Sequence, residues 1–158
     1  MRHVFAAFAA VVVLLGGAVL SASSASADVG VQTYELDYAS PASGEPPVAG
    51  TLCDSQLLRV CFAKYGDVWW VKDTTNDGYY NLELQWENRL FDGSAWFLYR
   101  EGSCTSQLGY NNYGTCNKDY YESSSLNKWD SYGSQVRFRP CTGASSCGSW
   151  SSWIDNDA

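Results

Sequence analysis

Histidine is almost absent from the chain: among its 158 residues, His3 is the only one. A serine or cysteine nucleophile activated by a histidine base needs at least one, and so does a histidine-bearing metal centre. His3 lies in a segment that we expect to be removed, as described below. The sequence therefore predicts that the mature chain uses none of these designs.

Positive charge is also scarce, since 10 Lys and Arg stand against 17 Asp and Glu and give a net charge of −7. Proteins that bind nucleic acid concentrate positive charge against the phosphate backbone. We therefore predict no nucleic-acid partner. Long apolar runs are equally few, because the one long uncharged stretch is Val4–Leu20.

Residues 1–27 have the three parts of a secretory signal peptide. Met1-Arg2-His3 supplies a positive start, Val4–Leu20 is apolar apart from Gly16-Gly17, and Ser21–Ala27 consists of small residues. Ala25-Ser26-Ala27 provides the small side chains that a signal peptidase requires, so we expect the mature chain to begin at Asp28. Cleavage after Ala25 is the alternative.

An uncleaved membrane anchor is the competing interpretation, because 17 apolar residues reach the lower limit of about 17 to 25 for a spanning helix. The glycine pair and the small-residue tail favour cleavage, and no cysteine lies near the cut to carry a lipid. We predict a secreted, extracellular protein that has no membrane attachment after cleavage. Loss of Arg2 with the leader changes the net charge to −8.

All six cysteines follow the leader, which indicates a disulfide framework in an exported chain. Six cysteines allow 15 pairings. We favour pairing of nearest neighbours, because each such pair brackets a turn-rich stretch. A zinc site is the rival, but zinc sites favour Cys-x-x-Cys spacing and histidine partners. The favoured pairs are Cys53–Cys61, Cys104–Cys116 and Cys141–Cys147.

The sequence predicts an all-β fold, an antiparallel sandwich or barrel-like sheet of about six to seven short strands stapled by disulfides. Strands are indicated by β-branched and aromatic runs and by alternation, as in residues 79–87, where Leu82, Leu84 and Trp86 face one way. The other predicted strands are 57–65, 68–72, 95–100, 135–139 and 150–154, with a possible edge strand in 28–38. Residues 28–50 are predicted to be an N-terminal segment with a Pro/Gly linker, and 51–158 the β domain.

Asp73, Thr75 and Asp77 precede Gly78 with the spacing of the first half of a calcium-binding loop. The second half is missing, since the twelfth position of such a loop would be Leu84. Asp and Asn before Gly are also typical of a tight turn. We predict a turn with no metal, and no cofactor elsewhere, and keep calcium as the alternative.

Paired carboxylates are the remaining catalytic possibility, because a glycosidase needs two acids about 5 to 9.5 Å apart. Glu83 and Glu87 share a strand face but stand about 13 Å apart at the usual rise per residue. A pair formed across two strands stays open at this point. Without a convincing constellation, we predict that the protein is not an enzyme.

Aromatic residues are in excess, with seven tryptophans and eleven tyrosines. Neighbours on a strand point to opposite faces, so Trp69 and Trp70 cannot both lie in the core of a one-sided sheet. The same holds for Tyr79 and Tyr80. An exposed aromatic row suits sugar stacking or a protein partner, whereas a two-layer fold would cover both faces.

Three strings of the sequence resemble a family of small secreted actinobacterial proteins of the Streptomyces type. They are WVKDTTNDG at 70–78, VRFRPC at 136–141 and SCGSWSSWIDND at 146–157. The resemblance spans about residues 59–155. It implies export, a Gram-positive source and a β fold, and because the family has no established activity it assigns no catalytic or binding residue.

Two classes of function follow. The first is a non-catalytic module that binds an extracellular polysaccharide or cell-wall glycan, with Trp70, Tyr79, Tyr80 and Tyr121 as candidate binding residues. The second is a protein-directed factor, an inhibitor or an antagonistic effector, that presents residues 142–146 or 109–121 as a loop. A structural role in the envelope is a third possibility. Arg137 and Arg139 are expected to lie across from outward glutamates, with anion binding as the alternative.

Overall fold

The computed structural model describes residues 33–55, 58–78, 81–143 and 146–157. The chain divides into Met1–Gly30 and Val31–Ala158, and every described residue belongs to the second unit. The predicted signal peptide and the first part of the predicted edge strand, Val29 and Val31, lie outside the described residues. Within these ranges no helix has the length and apolar character needed to cross a membrane.

The described residues form β-strands and no helix, which confirms the all-β prediction. Two sheets pack face to face as a sandwich, the arrangement expected when each sheet has one apolar face to bury. The strands are β1 Glu35–Tyr38, β2 Ser40–Pro41, β3 Thr51–Asp54, β4 Arg59–Ala63, β5 Val68–Lys72, β6 Leu82–Phe91, β7 Trp96–Ser106, β8 Tyr113–Asn117, β9 Ser134–Thr142, β10 Ser146–Cys147 and β11 Ile154–Asp155.

Sheet A has the strand order β1-β7-β6-β9-β10, and β11 pairs with β9 as well. Its centre is β6, in which buried and half-buried residues alternate along all ten positions. Leu82, Leu84 and Trp86 point into the sandwich, whereas Glu83 and Glu87 point outward. The predicted alternation is therefore confirmed, and the strand extends four residues beyond the predicted end.

Sheet B has the order β2-β8-β5-β4-β3. The predicted hairpin is β4 and β5, joined through the Gly66-Asp67 turn, where both residues have positive φ angles. Phe62 and Trp69 are register partners on the inner face and stack with ring centroids 4.4 Å apart. The core forms where this face meets the inner face of sheet A.

Three disulfides join the pairs that the spacing favoured. Cys53–Cys61 and Cys141–Cys147 each link two adjacent strands of one sheet. Cys104–Cys116 links β7 to β8 and so crosses from sheet A to sheet B. Three such bonds indicate an oxidising environment.

The structure differs from the prediction in the number of strands, because the described residues form eleven strands in place of six or seven. The additional ones include two-residue edge pairings and β8, which lies in a polar stretch without alternation. One pair, β1 with β7, is parallel. In the predicted linker, Ser40 and Pro41 pair with Thr115 and Gly114, since proline is tolerated on an edge strand. The predicted closing strand is shorter, as β11 begins at Ile154.

Candidate functional site

The predicted binding residue Trp70 lies on the outer face of sheet B, behind the core residue Trp69. It is half-buried and meets Tyr113 edge-on, with ring centroids 5.8 Å apart. Tyr113 in turn donates a hydrogen bond of 2.9 Å to Glu45, next to the buried Pro46. The segment around Glu45 therefore lies against this face, and Trp70 is half-buried on the outer side of the sandwich.

Tyr79 and Tyr80 lie outside the described residues. Tyr121, the fourth candidate, belongs to another part of the molecule, because it follows β8 and stacks against Tyr99 of β7 in sheet A. The structure therefore does not bring Tyr121 together with Trp70 into one row. It places Tyr121 beside a groove with aromatic neighbours of its own.

That groove has a volume of about 290 Å³, close to the lower end of the size range of small-ligand sites. We call it the tyrosine groove. Its lining combines aromatic rings, a carboxylate and a guanidinium group, the mixture of apolar surface and oriented polar groups that ligand sites use. The lining residues are Tyr99, Arg100, Asp119, Tyr120 and Tyr121.

Further rings extend the wall of the tyrosine groove. Tyr99 lies 6.2 Å from Trp129 at an interplanar angle of 65°, and Trp129 lies 5.9 Å from Phe97 at 63°. Tyr99 and Tyr121 are 5.9 Å apart at 47°. The rings are thus tilted against each other and form a curved wall. Phe97 is 46% exposed, so part of this wall faces solvent.

Arg100 is held in place beneath the groove by three hydrogen bonds. It donates to both carboxylate oxygens of Glu35, at 2.7 and 3.0 Å, and to the carbonyl oxygen of Asp119, at 2.6 Å. Burial favours a raised pKa of Glu35, but the hydrogen bonds from Arg100 and Lys118 outweigh it and lower that pKa. Arg100 is therefore a fixed cation with two N–H groups beyond these bonds.

The loop that carries Lys128 and Trp129 is anchored by the buried side chain of Asn127. Its amide donates to the carbonyl oxygens of Phe91, at 2.8 Å, and Gly133, at 3.2 Å. Its amide oxygen accepts the backbone N–H of Trp129 at 2.9 Å. Asn127 so fixes the position of Trp129 before any ligand arrives, which reduces the ordering cost of binding.

Two tyrosines of the groove, Tyr99 and Tyr120, have a raised pKa. Burial raises the pKa of the Tyr99 hydroxyl, and the neighbouring Tyr121 adds to this. Burial also raises the pKa of Tyr120 well above its usual value, against the effect of the hydrogen bond that its hydroxyl accepts from Trp69 Nε1 at 2.9 Å. At neutral pH these hydroxyls therefore act as donors and acceptors and not as anions.

A second aromatic cluster lies on the outer face of sheet A, where tryptophans alternate with arginines. We call it the arginine ladder, and it has six members. Each guanidinium carbon lies 4.1 to 4.7 Å from the centroid of a neighbouring indole ring, within the range of a cation–π contact. The order is Arg139, Trp150, Arg137, Trp153, Arg89 and Trp96.

Cross-strand partners orient the arginines of the ladder. Arg137 pairs with Glu87 at 2.6 Å, as the sequence led us to expect, whereas Arg139 lies opposite Gln85 and donates to its amide oxygen. These arginines therefore have protein partners on both their edges and their faces. The ladder fastens the C-terminal segment to β9 and offers little open ring surface.

Asp73 and Asp77 form a hydrogen-bonded turn. Asp73 accepts the backbone N–H of Thr75 at 2.9 Å, and the Thr75 hydroxyl donates to Asp77 at 3.0 Å. Within the described residues no group of three or more metal-ligating side chains occurs. The hydrogen bonds of Asp73 and Thr75 support the predicted turn.

The cross-strand carboxylate pair left open by the sequence is Glu87 and Glu101, which are direct register partners on β6 and β7. Glu87 is bound by Arg137, and the pair lies on the outer face of sheet A, away from the tyrosine groove. The groove itself contains one carboxylate among its described lining residues, Asp119.

The structure describes one of the two loops predicted to contact a protein partner in full and the other only in part. Residues 109–121 contain β8, the buried Tyr113 and the intersheet disulfide at Cys116, so this stretch is part of the sandwich and does not protrude. Residues 142–146 include 144 and 145, which lie outside the described residues. The sequence analysis missed Phe97 and Tyr99 as site residues, because the pattern of their strand β7 does not show what packs beside it. It missed Asn127 and Trp129 because the loop between β8 and β9 shows no strand periodicity.

Comparisons of the chain with protein-family models, with curated proteins and with solved structures find no match. The resemblance to small secreted actinobacterial proteins therefore stays a prediction. What the chain does has to be inferred from the site itself.

Proposed function

We propose that the protein is a secreted, non-catalytic module that binds an extracellular polysaccharide or cell-wall glycan in the tyrosine groove. One observation carries the proposal: Tyr99, Tyr121 and Trp129 form a partly exposed aromatic wall beside Arg100 and Asp119. Export is supported by the three disulfides, which persist in oxidising compartments.

The chemistry of a sugar ring matches this lining. Its C–H faces pack on aromatic rings, and its hydroxyl groups form hydrogen bonds with tyrosine hydroxyls, carboxylates and guanidinium groups. The tyrosine groove presents both kinds of partner within one concave surface. A purely apolar ligand would leave the Asp119 carboxylate and the two remaining N–H groups of Arg100 without partners in the complex, at a cost in free energy.

The tilt of the rings indicates which form of glycan fits. A crystalline polysaccharide presents a flat surface, which coplanar rings match, whereas rings tilted by 47° to 65° enclose a single chain or a chain end. The volume of about 290 Å³ is also that of a site for a short segment. The proposed ligand is therefore one glycan chain, bound over a few sugar units.

Binding without turnover is supported by the composition of the groove. Glycoside hydrolysis in most families needs two carboxyl groups about 5 to 9.5 Å apart. Asp119 is the one carboxylate among the described residues that line the groove. The Glu87–Glu101 pair lies on another face and is held in part by Arg137.

Affinity electrophoresis of the purified protein in gels that contain soluble xylan, glycol chitin or β-glucan tests the proposal. We expect at least one glycan to retard the wild-type protein, and Tyr121→Ala to lower the affinity by about fivefold, since an aromatic contact contributes on the order of 1 kcal/mol. Tyr121→Phe should keep most of the affinity, because the ring remains.

Tyr110→Ala is the matched control, because Tyr110 is 52% exposed and lies outside the groove. Equal retardation of the Tyr121→Ala and wild-type proteins would contradict the proposed site. Release of reducing sugar from the bound glycan would contradict the proposed absence of catalysis. If none of the glycans retarded the wild-type protein, the proposed function would be overturned.

A further inference from the structure

Strand β3 is the last strand of sheet B, and no described strand pairs with its other side. The Cα atoms of Cys53 and Cys61 are 4.0 Å apart, the short separation of a non-hydrogen-bonded antiparallel pair. The Lys64 N–H donates to the Gly50 carbonyl oxygen, as the alternating ladder requires. The backbone groups of Thr51, Cys53 and Ser55 therefore point away from β4 toward the open edge.

A cleft of about 530 Å³ lies along this open edge. One side is β3 with Leu52 and Asp54, and the other is the C-terminal segment around Ser152 and Ile154. The volume falls within the range of 300 to 1,000 Å³ that is typical of ligand sites. The cleft lies on the side of sheet B away from β8, and it shares no lining residue with the tyrosine groove.

The cleft is apolar inside and polar at its rim. Leu52, Phe138 and Ile154 supply the apolar surface, and Leu52 is 43% exposed although its side chain is aliphatic. Ser55 and Ser152 are exposed and carry hydroxyl groups at the rim. A ligand with one apolar side chain and a polar backbone on each side would match this pattern.

We propose that this cleft binds an extended peptide, which adds to β3 as a further strand. The outward N–H and C=O groups of Thr51, Cys53 and Ser55 repeat at every second residue, and an extended peptide presents complementary groups at the same spacing. An apolar side chain of the peptide packs against Phe138 and Ile154. The net charge of −7 favours a peptide with basic residues at its ends.

This site is independent of the proposed glycan site, because the backbone edge and the apolar interior select a peptide. A sugar chain lacks the alternating N–H and C=O groups that the edge of β3 recognises. A second copy of the protein, paired edge to edge through β3, is the other occupant that the test distinguishes.

NMR titration of the isotope-labelled protein, with its disulfides formed, uses the probe acetyl-Lys-Val-Thr-Val-Lys-amide. We expect the amide signals of Thr51, Cys53 and Ser55 to shift, and their hydrogen exchange to slow by about tenfold at saturation. The same peptide with methylated valine nitrogens should bind about tenfold more weakly, because it lacks donors for the edge.

Ser55→Pro removes one outward N–H group and leaves the hydrogen bonds between β3 and β4 intact. It should therefore lower the affinity for the probe peptide by about fivefold to tenfold. Ser55→Ala keeps the N–H and is the matched control, with nearly unchanged affinity. Equal binding of the methylated and unmethylated probes to the wild-type protein would overturn the proposal. The proposal would also be overturned if the probe shifted the amide signals of other residues only. The same holds if the edge amides were already protected from hydrogen exchange without the probe and the protein had twice the mass of one chain.

Discussion

The arginine ladder and the tyrosine groove are both clusters of aromatic side chains that pack beside strands of sheet A, yet their ring faces have different partners. In the ladder, the indoles of Trp150 and Trp153 each lie between two guanidinium groups. In the groove, Tyr99, Tyr121 and Trp129 meet other rings at an angle, and the ammonium group of the exposed Lys128 lies 4.6 Å from the ring centroid of Tyr99 and 4.8 Å from that of Trp129. The indoles of the first cluster are held between planar guanidinium groups, whereas the rings of the second meet one exposed lysine side chain.

The position of the arginines explains the difference. Arg137 and Arg139 are held by Glu87 and Gln85 across the strands, so their planes extend over the outer face and stack on the indoles. Arg100 is drawn beneath the groove by Glu35 and stacks on the buried Tyr120 at 5.1 Å. The arginines of the ladder thus lie over its indoles, whereas Arg100 lies over Tyr120 and the exposed Lys128 over Tyr99 and Trp129.

The comparison shows that an excess of aromatic residues does not by itself indicate a binding surface. An aromatic face already stacked on a guanidinium group gains little from a sugar, because the contact it would offer is occupied. The useful distinction is whether the ring faces lie between guanidinium groups that are fixed by other side chains or face an exposed lysine. It predicts that mutations in the ladder lower stability and that mutations in the groove lower binding.

The largest effect is expected for Trp153→Ala in the ladder. The variant loses two cation–π contacts and the packing of a large ring, so the free energy of unfolding should fall by about 2 to 3 kcal/mol. Urea denaturation followed by intrinsic fluorescence measures this loss. Glycan affinity of the folded variant should be unchanged, and a large loss of affinity would show that the two clusters are not separate.

Trp129→Ala should show the reverse pattern. Its ring packs on Phe97 and Tyr99 at the partly exposed wall, so stability should fall by less than about 1 kcal/mol. Affinity for the retarding glycan should fall by about tenfold or more, because the wall loses its largest ring. Affinity electrophoresis and urea denaturation of the same preparation test both parts, and a variant that is unstable but binds normally would reverse the assignment.

Arg137→Lys tests whether the ladder depends on stacking or on charge. Lysine keeps the charge and a contact with Glu87 but loses the planar group between Trp150 and Trp153, so we expect a loss of about 1 kcal/mol in unfolding free energy. Arg59→Lys, on the outer face of sheet B, is the matched control, with a smaller loss. Urea denaturation measures this loss. If the Arg137→Lys and wild-type proteins had the same urea midpoint, stacking on the indoles would contribute nothing measurable to stability.

The fold could be predicted from local pattern where one face of a strand is buried. The alternation of β6 and the Trp69–Trp70 step carry that information in adjacent residues, because successive side chains point to opposite faces. Strand β8 was not predicted, because the residues on its inner face are Gly114 and Cys116 and neither gives the large apolar side chain that marks a strand pattern. Its position is fixed by pairing with β5 and by the disulfide to β7, which are contacts distant in sequence.

The candidate site was predictable only in part. Tyr121 was singled out, but its neighbours Tyr99 and Trp129 come from separate elements, and nothing local links them. The ladder shows the same limit, since on a regular strand Trp150 and Trp153 would point to opposite faces. Residues 150–153 are irregular, and this places both indoles against the arginines.

The smallest effect is expected at Asp67, in the turn between β4 and β5, which supports the groove from behind. Its carboxylate accepts the Tyr120 N–H at 2.7 Å, and its carbonyl oxygen accepts the Lys118 N–H at 2.9 Å. Burial raises the pKa of the Asp67 carboxyl, with Glu122 and Asp119 adding to it, against the lowering effect of the Tyr120 N–H and Asn156.

A raised pKa in the folded state means that the native protein holds this proton more tightly than the unfolded chain. The contribution of Asp67 is therefore most favourable below its unfolded pKa of about 3.9 and is lost as the pH rises through the higher folded value. Asparagine suits the positive φ of 53° at this position. Asp67→Asn should therefore remove the contribution of Asp67 to the pH dependence of stability, and the variant should gain stability relative to the wild-type protein at pH values above the folded pKa of Asp67. Urea midpoints of both proteins from acid to neutral pH test this, and a difference between them that stays constant with pH would show that Asp67 does not titrate differently on folding.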